Sequence, residues 1–505
     1  MSPPKISAML GKVRNDLPRA ASLAGDWRAT RRRSAGGTLD GLRESGRVAG
    51  QQLGSGVTAA RHRIGRIRSG GRLGVMWHEA TRRSRTARPA PVPEPGARLQ
   101  AVLLCYACVP GAGSEEGVGW TWAAAAAAVA DVTLLTTPFV SERVEKAAAE
   151  LGLPITVVAV EPPRALRWTA TRRWGGFVYY LLWQGAAARV LRRHEATRHV
   201  DVVHHVTWAT DSSPSALAAS RAPVRIWGPV GGTTRMPQDL YRFLAPRARF
   251  DEVFRELVNG AIRRLGGDRV ARRSTLVLAL NHDVEARFRR HGTPIVVEPN
   301  CALDLDELDA GPTPAPSPGR GRTALFVARL MGWKGPLLAI ETLAHAPDWR
   351  LAVLGEGNER ARAEALAERL GVSDRVEFRG RVPRSEVLDA FRTADALLFP
   401  SFHDSAPWAV GEAAALGCPV VCLDAGGPPL LAGRNGHVVP SSPGADLPER
   451  LAGALCGLDG RGEPDDRWRA DRLPLLLARW YRGGTDGGSP APEPERPEPE
   501  ERRTT

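Results

Sequence analysis

Two cations and two acids in the C-terminal half have the types and spacing to do chemistry. Arg329 and Lys334 lie five residues apart in "FVARLMGWKG", directly after an apolar run. Of the 69 Lys and Arg residues in the chain only four are lysines (Lys5, Lys12, Lys146 and Lys334), so composition alone does not supply a lysine at 334. A compact ammonium beside a guanidinium suits a diphosphate; the plainer alternative is a solvated basic turn. In "SFHDSAPWAVGEAAALGCPVV", from Ser401, Asp404 precedes Pro407 and Glu412 follows eight residues after Asp404. Pro407 fits the first position of a helix, Asp404 or Ser405 fits just outside it, and Gly417 with Pro419 beyond ends it. Free N–H groups around Ser405–Ala409 then face an anion, aided by the helix dipole. The two acids can accept hydrogen bonds from two polyols along one ligand, an order that a sugar–diphosphate–ribose chain presents. A capping Asp plus a helix-face Glu is the alternative. The turn "LGEGNE" adds Gly355 and Gly357, though glycines in such turns are often only steric.

The elements that must hold these residues read as strands alternating with helices. "LQAVLLCYACV", "DVTLLTT", "ITVVAV", "VDVVHHV", "VRIWGPV", "TLVLAL" and "PIVVEPN" are continuous apolar strands with helical segments between them, and "GAGSEEGVG" is read as a loop before the helix "WTWAAAAAAVA". The pattern implies a parallel sheet covered on both faces. After a Pro/Gly-rich linker it restarts with "TALFVARL", "WRLAVLGEG", "VEFRGRV", "DALLFPS", "PVVCLD" and "GHVVP". The expected organisation is a basic, mostly disordered extension (1–97), a first α/β domain (98–305), a linker (306–322), a second α/β domain (323–458), a helical segment (459–482) and a Pro/Glu tail (483–505). The segment 172–193 is apolar between basic ends and reads as a core helix of the first domain, with membrane docking as the alternative.

Charge is unevenly placed. The first 100 residues hold 20 Lys/Arg against 6 Asp/Glu, and the remainder is formally neutral, so the pI describes an appendage. Contact of residues 1–97 with an anionic membrane surface is one expectation for it. No aromatic platform or zinc finger supports specific nucleic-acid binding. Six scattered cysteines give no disulfide framework, and "CYAC" at 105–108 reads as buried, reduced core cysteines. Without a signal-peptide pattern or a long apolar run, a cytoplasmic place is expected, peripheral on the inner face of the plasma membrane if the basic arm docks there.

Residues 323–440 resemble the donor domain of retaining glycosyltransferases of the GT-B fold, glycosyltransferase family four. The family's G-R-L-x(3)-K-G stands here as Ala328-Arg329-Leu330-x(3)-Lys334-Gly335, and its G-x-G as Gly355-Glu356-Gly357. The run Leu370–Val382, "AD-x(4)-PS" from Ala394 to Ser401, and Asp404-x(7)-Glu412 for E-x(7)-E continue the match through Gly427. The resemblance implies two Rossmann-like doubly wound domains facing a cleft. It implies that Arg329 and Lys334 hold the donor diphosphate, that Asp404 contacts the sugar and Glu412 the ribose, that backbone around Val382 and Phe399 frames the base, and that Ser405, Ala406, Pro407 and Trp408 meet sugar or phosphate. Three departures bear on substrate identity: Asp404 for Glu, Ala328 for Gly, and Pro428-Pro429 after Gly427.

"GAGSEEGVGW" resembles the N-terminal Gly loop of a bacterial branch of the same family. Gly113, Gly117 and Gly119 would let backbone approach a bound sugar or phosphate, with Ser114 and Glu115 touching donor or acceptor. A His at the end of "VDVVHHV" would contact the sugar; His204 and His205 are the two candidates, with a satisfied core histidine as the alternative. The combined expectation is a metal-independent retaining hexosyltransferase without a cofactor, taking a UDP- or GDP-sugar as co-substrate and a glycan or lipid-linked acceptor. The acidic string 304–309 is not read as a metal site. A catalytically silent scaffold and a GT-B phosphorylase or epimerase are the rival readings.

Overall fold

A computed structural model describes residues 98–112, 114–163, 175–263, 266–304, 308 and 321–485. The expected basic extension, nearly all of the linker, the tail beyond 485 and Gly113 lie outside the described residues. Two parallel sheets form the frame. The first runs β1 (Leu99–Cys105), β2 (Ala130–Thr136), β3 (Ile155–Ala159), β4 (Val202–Thr207), β5 (Val224–Val230), β6 (Leu276–Ala279) and β7 (Ile295–Val297), in spatial order β3-β2-β1-β4-β5-β6-β7. The second runs β8 (Arg322–Val327), β9 (Trp349–Leu354), β10 (Val376–Gly380), β11 (Ala396–Phe399), β12 (Val420–Leu423) and β13 (Gly436–Val439), in order β10-β9-β8-β11-β12-β13. The continuous apolar runs form strands because helices cover both faces and leave no wet side to alternate toward.

The first sheet is dressed by α1 (Ser114–Ala127), α2 (Ser141–Glu150), α3 (Gly175–Thr197), α4 (Pro246–Arg263), α5 (Gly267–Arg273) and α6 (His282–Phe288). The second carries α7 (Pro336–Ala344), α8 (Arg360–Arg369), α9 (Arg384–Thr393), α10 (Trp408–Ala415), α11 (Pro428–Ala432) and α12 (Leu447–Cys456). α3 is a core helix: Tyr179, Tyr180, Trp183 and Leu191 pack with Val102 and Leu104 of β1. Among the described residues no helix is long and apolar enough to cross a membrane. Cys105 and Cys108 are buried and unpaired, as the apolar context of "CYAC" implies.

One local expectation is corrected. "SEEGVG" is the start of α1, not a loop. Gly117 and Gly119 are buried in that helix, where an added Cβ would meet the Ala112 carbonyl at 1.8 Å and the Ala107 carbonyl at 2.2 Å. These glycines let α1 press against its own preceding loop.

Three ties cross between the sheets. α13 (Arg472–Trp480) follows the second domain in sequence but packs on the first: Trp480 stacks on Trp122 at 6.5 Å, and Leu473 and Leu477 join the core under β1. Arg472 pairs with buried Glu298, just after β7. The third tie has no sequence signal: Met236, Leu240, Phe243 and Leu244, which follow β5, pack into the second domain's core beside Phe326, Leu330 and Phe402.

His204 and His205 are core residues, fully buried on β4. His204 Nε2 donates to the Gly228 carbonyl at 2.9 Å, so Nδ1 accepts from the Tyr481 hydroxyl at 3.1 Å. Burial holds their pKa values at about 3 and about 4, with hydrogen bonds to Gly228 and Thr207 opposing. The unfolded chain protonates such rings below about pH 6.5, whereas the folded chain resists. Their stabilisation is therefore complete above that pH and lost as pH falls from about 6.5 toward 4. Each ring contributes a slope of about 1.4 kcal/mol per pH unit in that window. Urea unfolding between pH 7.5 and 4.5 checks this: His204→Gln should lessen the pH dependence, and an unchanged slope would show that this ring titrates alike in both states.

Candidate functional site

In each sheet the strand order reverses beside its first strand, between β1 and β4 and between β8 and β11. Loops beyond the carboxyl ends of strands diverge at such points and leave a crevice, where open α/β folds bind ligands. The start of α1 and the loops after β4, β8 and β11 line one shared cavity of about 770 Å³.

The second-domain wall carries the expected cations. After β8 the chain passes Arg329, turns through Gly332–Lys334 and reaches Gly335 at φ +73°, where a non-glycine residue would be strained. An added Cβ at Gly335 would also meet the Pro400 carbonyl at 2.3 Å. This close approach sets Lys334 beside the loop after β11, where the Asp404 carboxylate accepts a hydrogen bond from Lys334 Nζ. Lys334 and Asp404 are only 12% and 13% exposed at their side chains, so solvent screens the pair little. The ammonium also lies 4.4 Å from the Trp333 ring and 5.3 Å from Phe399. Trp333 stacks on His403 at 4.9 Å, and His403 Nε2 stands 3.6 Å from the Glu252 carboxylate of α4, across the cleft.

Asp404 does not cap α10: Pro407 occupies that position, with no side-chain cap bond. Arg329, Phe399, Ser405, Ala406, Pro407 and Trp408 line the cavity with Lys334 and Asp404. The other expected donor contacts lie off this wall. Gly357 backs the Arg329 loop, its added Cβ meeting the Leu330 carbonyl at 2.1 Å, and Gly355 similarly meets Ala328 at 1.9 Å. Val382 packs in the core beside Phe399. Glu412 is buried on α10 and pairs with Arg384 of α9 at 3.0 Å.

The first-domain wall brings Glu115, at the start of α1, to Trp208, after β4. Glu115 Oε1 accepts from the Trp208 backbone N–H at 2.6 Å, and Oε2 accepts from Asn300 Nδ2 at 3.3 Å. Ser114 is the first residue of α1. Arg247, Glu252 and Thr234 complete the polar part of this wall. Asn281 joins the two walls. Its Oδ1 caps α6 by accepting from the Val284 N–H at 3.2 Å, while its Nδ2 donates to the Ser405 carbonyl at 3.0 Å.

Residues 313–453 match the family described as "Glycosyl transferases group 1". The likeness to this family is carried by the second domain. The chain is 34% identical over 181 residues to a D-inositol 3-phosphate glycosyltransferase of Xylanimonas cellulosilytica, covering 31% of this chain and 42% of that protein. It is 31% identical over 214 residues to a 2-deoxystreptamine glucosyltransferase of Streptomyces kanamyceticus, covering 39% and 52%. The chain thus spans about half or less of the length of these curated relatives. Among solved structures it is similar to sucrose-phosphate synthase of Thermosynechococcus elongatus, with a TM-score of 0.47, 16% identity, and coverage of 76% of this chain and 98% of that one.

Reading the sequence missed Trp208, Thr234, Asn281 and Asn300 in the first domain and Glu359, Arg362 and His403 in the second. Asn281 alone had a signal, since "LNHDVEA" carries an Asn in cap position ahead of an apolar–acidic helix. Nothing in sequence announced the bond to Ser405.

Two substitutions separate support from contact. Asn281→Ser keeps a good helix cap but loses the bond to Ser405. Its melting temperature should stay near that of the unmodified protein while its affinity for nucleoside diphosphate falls, roughly three- to tenfold for one hydrogen bond, as read by titration calorimetry. Gly357→Ala must push backbone away from backbone and should lower stability by roughly 2–4 kcal/mol, measured by urea unfolding.

Proposed function

We propose that this protein transfers a sugar from a nucleotide-diphospho-sugar to a hydroxyl acceptor inside the cavity between its two domains. The observation that carries this reading is the meeting of Arg329, Lys334 and Asp404 with the Ser405–Trp408 segment at the switch point of the second sheet. Arg329 and Lys334 face the diphosphate. Lys334 exchanges its bond to Asp404 for phosphate oxygens, and Asp404 is left to accept from a sugar hydroxyl. The backbone before α10 supplies N–H donors and the positive end of a helix dipole.

The bond between the anomeric carbon and the β-phosphate oxygen breaks, and its electron pair goes to the diphosphate. The two cations stabilise that charge without a metal or cofactor. The acceptor oxygen bonds to the anomeric carbon on the face the phosphate leaves, and its proton passes to the departing phosphate oxygen. Configuration is retained. The named activities of the relatives, on D-inositol 3-phosphate and 2-deoxystreptamine, support a small hydroxylated acceptor. UDP and GDP are the candidate nucleotides.

A panel of nucleoside diphosphates and their sugars tests this by thermal shift and by release of nucleoside diphosphate. At least one should raise the melting temperature. Lys334→Ala should abolish that shift and slow turnover roughly 10²–10³-fold, and a chelator should leave turnover unchanged. No shift with any nucleotide would favour a silent scaffold, and turnover only with free phosphate would favour a phosphorylase.

A further inference from the structure

The two ends of α4 are pinned to different domains. The segment leading into it is tied to the second domain, where Phe243 and Leu244 sit in the core. There the Gly444 N–H donates to Asp239 Oδ2 at 3.2 Å, and Arg242 donates to the Ala445 carbonyl at 3.3 Å. The far end is tied to the first domain, where Arg263 pairs with buried Asp211 at 2.8 Å and donates to the Gly232 carbonyl at 3.4 Å. Between these pins the 18 residues of α4 run about 27 Å. Arg247, Ala248 and Glu252 of that span line the cavity. A helix held in this way cannot keep its place when one domain turns against the other.

The middle of α4 makes its own approach to the second domain. Glu252 is 8% exposed, and His403 Nε2 stands 3.6 Å from its carboxylate, longer than the usual N–H···O distance of about 2.7–3.2 Å. That nitrogen is buried with no hydrogen-bond partner among the described residues, a state that native proteins seldom leave unmet. Other ties between the domains are complete: Asn281 reaches Ser405 at 3.0 Å, and Arg472 reaches Glu298 at 2.8 Å. The imidazole is held flat on the Trp333 ring, 4.9 Å away and 15° from parallel. The Trp333 carbonyl in turn accepts from the Phe402 N–H at 2.9 Å and the Ser401 hydroxyl at 3.2 Å. With the ring fixed on that side, closing the gap falls to α4. The contact ends beside the site's cation, since Lys334 Nζ lies 4.4 Å from the same Trp333 ring.

We propose that α4 is a strap across the cavity and that Glu252 latches it to His403, whose Nε2–H then donates to the carboxylate. Latched, α4 holds the first-domain wall against the Trp333–Lys334 loop; unlatched, it follows the first domain and the cavity widens. This device concerns how the domains are held and stands apart from the transferase reading.

Hydrogen–deuterium exchange of the full chain at pH 7, read by mass spectrometry on peptides from 246–263, tests it. His403→Phe keeps a flat ring on Trp333 and loses the donor. Glu252→Ala loses the acceptor and places a better helix former in α4, so faster exchange cannot come from a weaker helix. Each should speed exchange in 246–263 roughly three- to tenfold, as the loss of one hydrogen bond to a charged group implies. The double variant should go no further than either single one, and peptides from α2 should exchange as in the unmodified protein. Unchanged exchange in 246–263, equal acceleration in α2, or additive effects in the double variant would overturn the strap. If exchange follows the variants while no nucleotide raises the melting temperature, the strap stands and the transferase reading fails.

Discussion

The close approach of the Lys334 loop to the end of β11 is the constraint on which the site depends. Gly335 lies so near the Pro400 carbonyl that a methyl group would collide with it at 2.3 Å. That proximity lets Lys334 reach Asp404 over the Trp333 and Phe399 rings. Little solvent screens the pair, and its two charges are opposite, so each holds the other in place until a ligand with more negative charge competes. The glycines at 426 and 427 serve the same end from below. Side chains there would strike the carbonyls of Asp404 and Ser405 at 2.0 Å, and the Gly427 N–H donates to the Asp404 carbonyl at 2.8 Å.

The cleft is held from both sides by elements that ignore domain order in sequence. α13 returns to the first domain through Trp480 and through the Arg472–Glu298 pair. The segment after β5 goes the other way and buries Phe243 against Phe402, 5.9 Å between rings. The same segment then runs into α4, which brings Arg247 and Glu252 to the cavity. Asp211, wholly buried behind the first-domain wall, forms an ion pair with Arg263 Nε at 2.8 Å and accepts from Thr233 Oγ1 at 3.0 Å and Arg287 Nε at 3.2 Å. Two guanidiniums on one wholly buried carboxylate fix the loops after β4 and β5 more firmly than exposed ion pairs would.

The two walls differ in how they meet a ligand. The second-domain wall presents charge and the end of a helix, which suits an anion and is largely satisfied internally by the Lys334–Asp404 pair. The first-domain wall presents the Trp208 indole, whose backbone is held by Glu115 and Tyr180. Asn281 is bonded across the join of the two walls.

The sequence alone determined much. The apolar strand runs and their alternation with helices fixed two parallel sheets, because a strand buried on both faces cannot hide its composition. The rarity of lysine marked Lys334, and the spacing of Asp404, Pro407 and Gly417 marked the start and end of α10 closely. Tertiary structure decided what those residues touch. The glycines at 117, 119, 355 and 357 left a ligand-facing and a steric reading open, and the structure sets all four in close backbone packing. Glu412, expected at a ribose, pairs with Arg384 in this structure, and of the two readings left open for His204 and His205 the core one holds. Glu115, Trp208 and Asn300 are far apart in the chain and share no periodicity. Only the reversal of strand order beside β1, and the packing of one domain on the other, brings them to one wall.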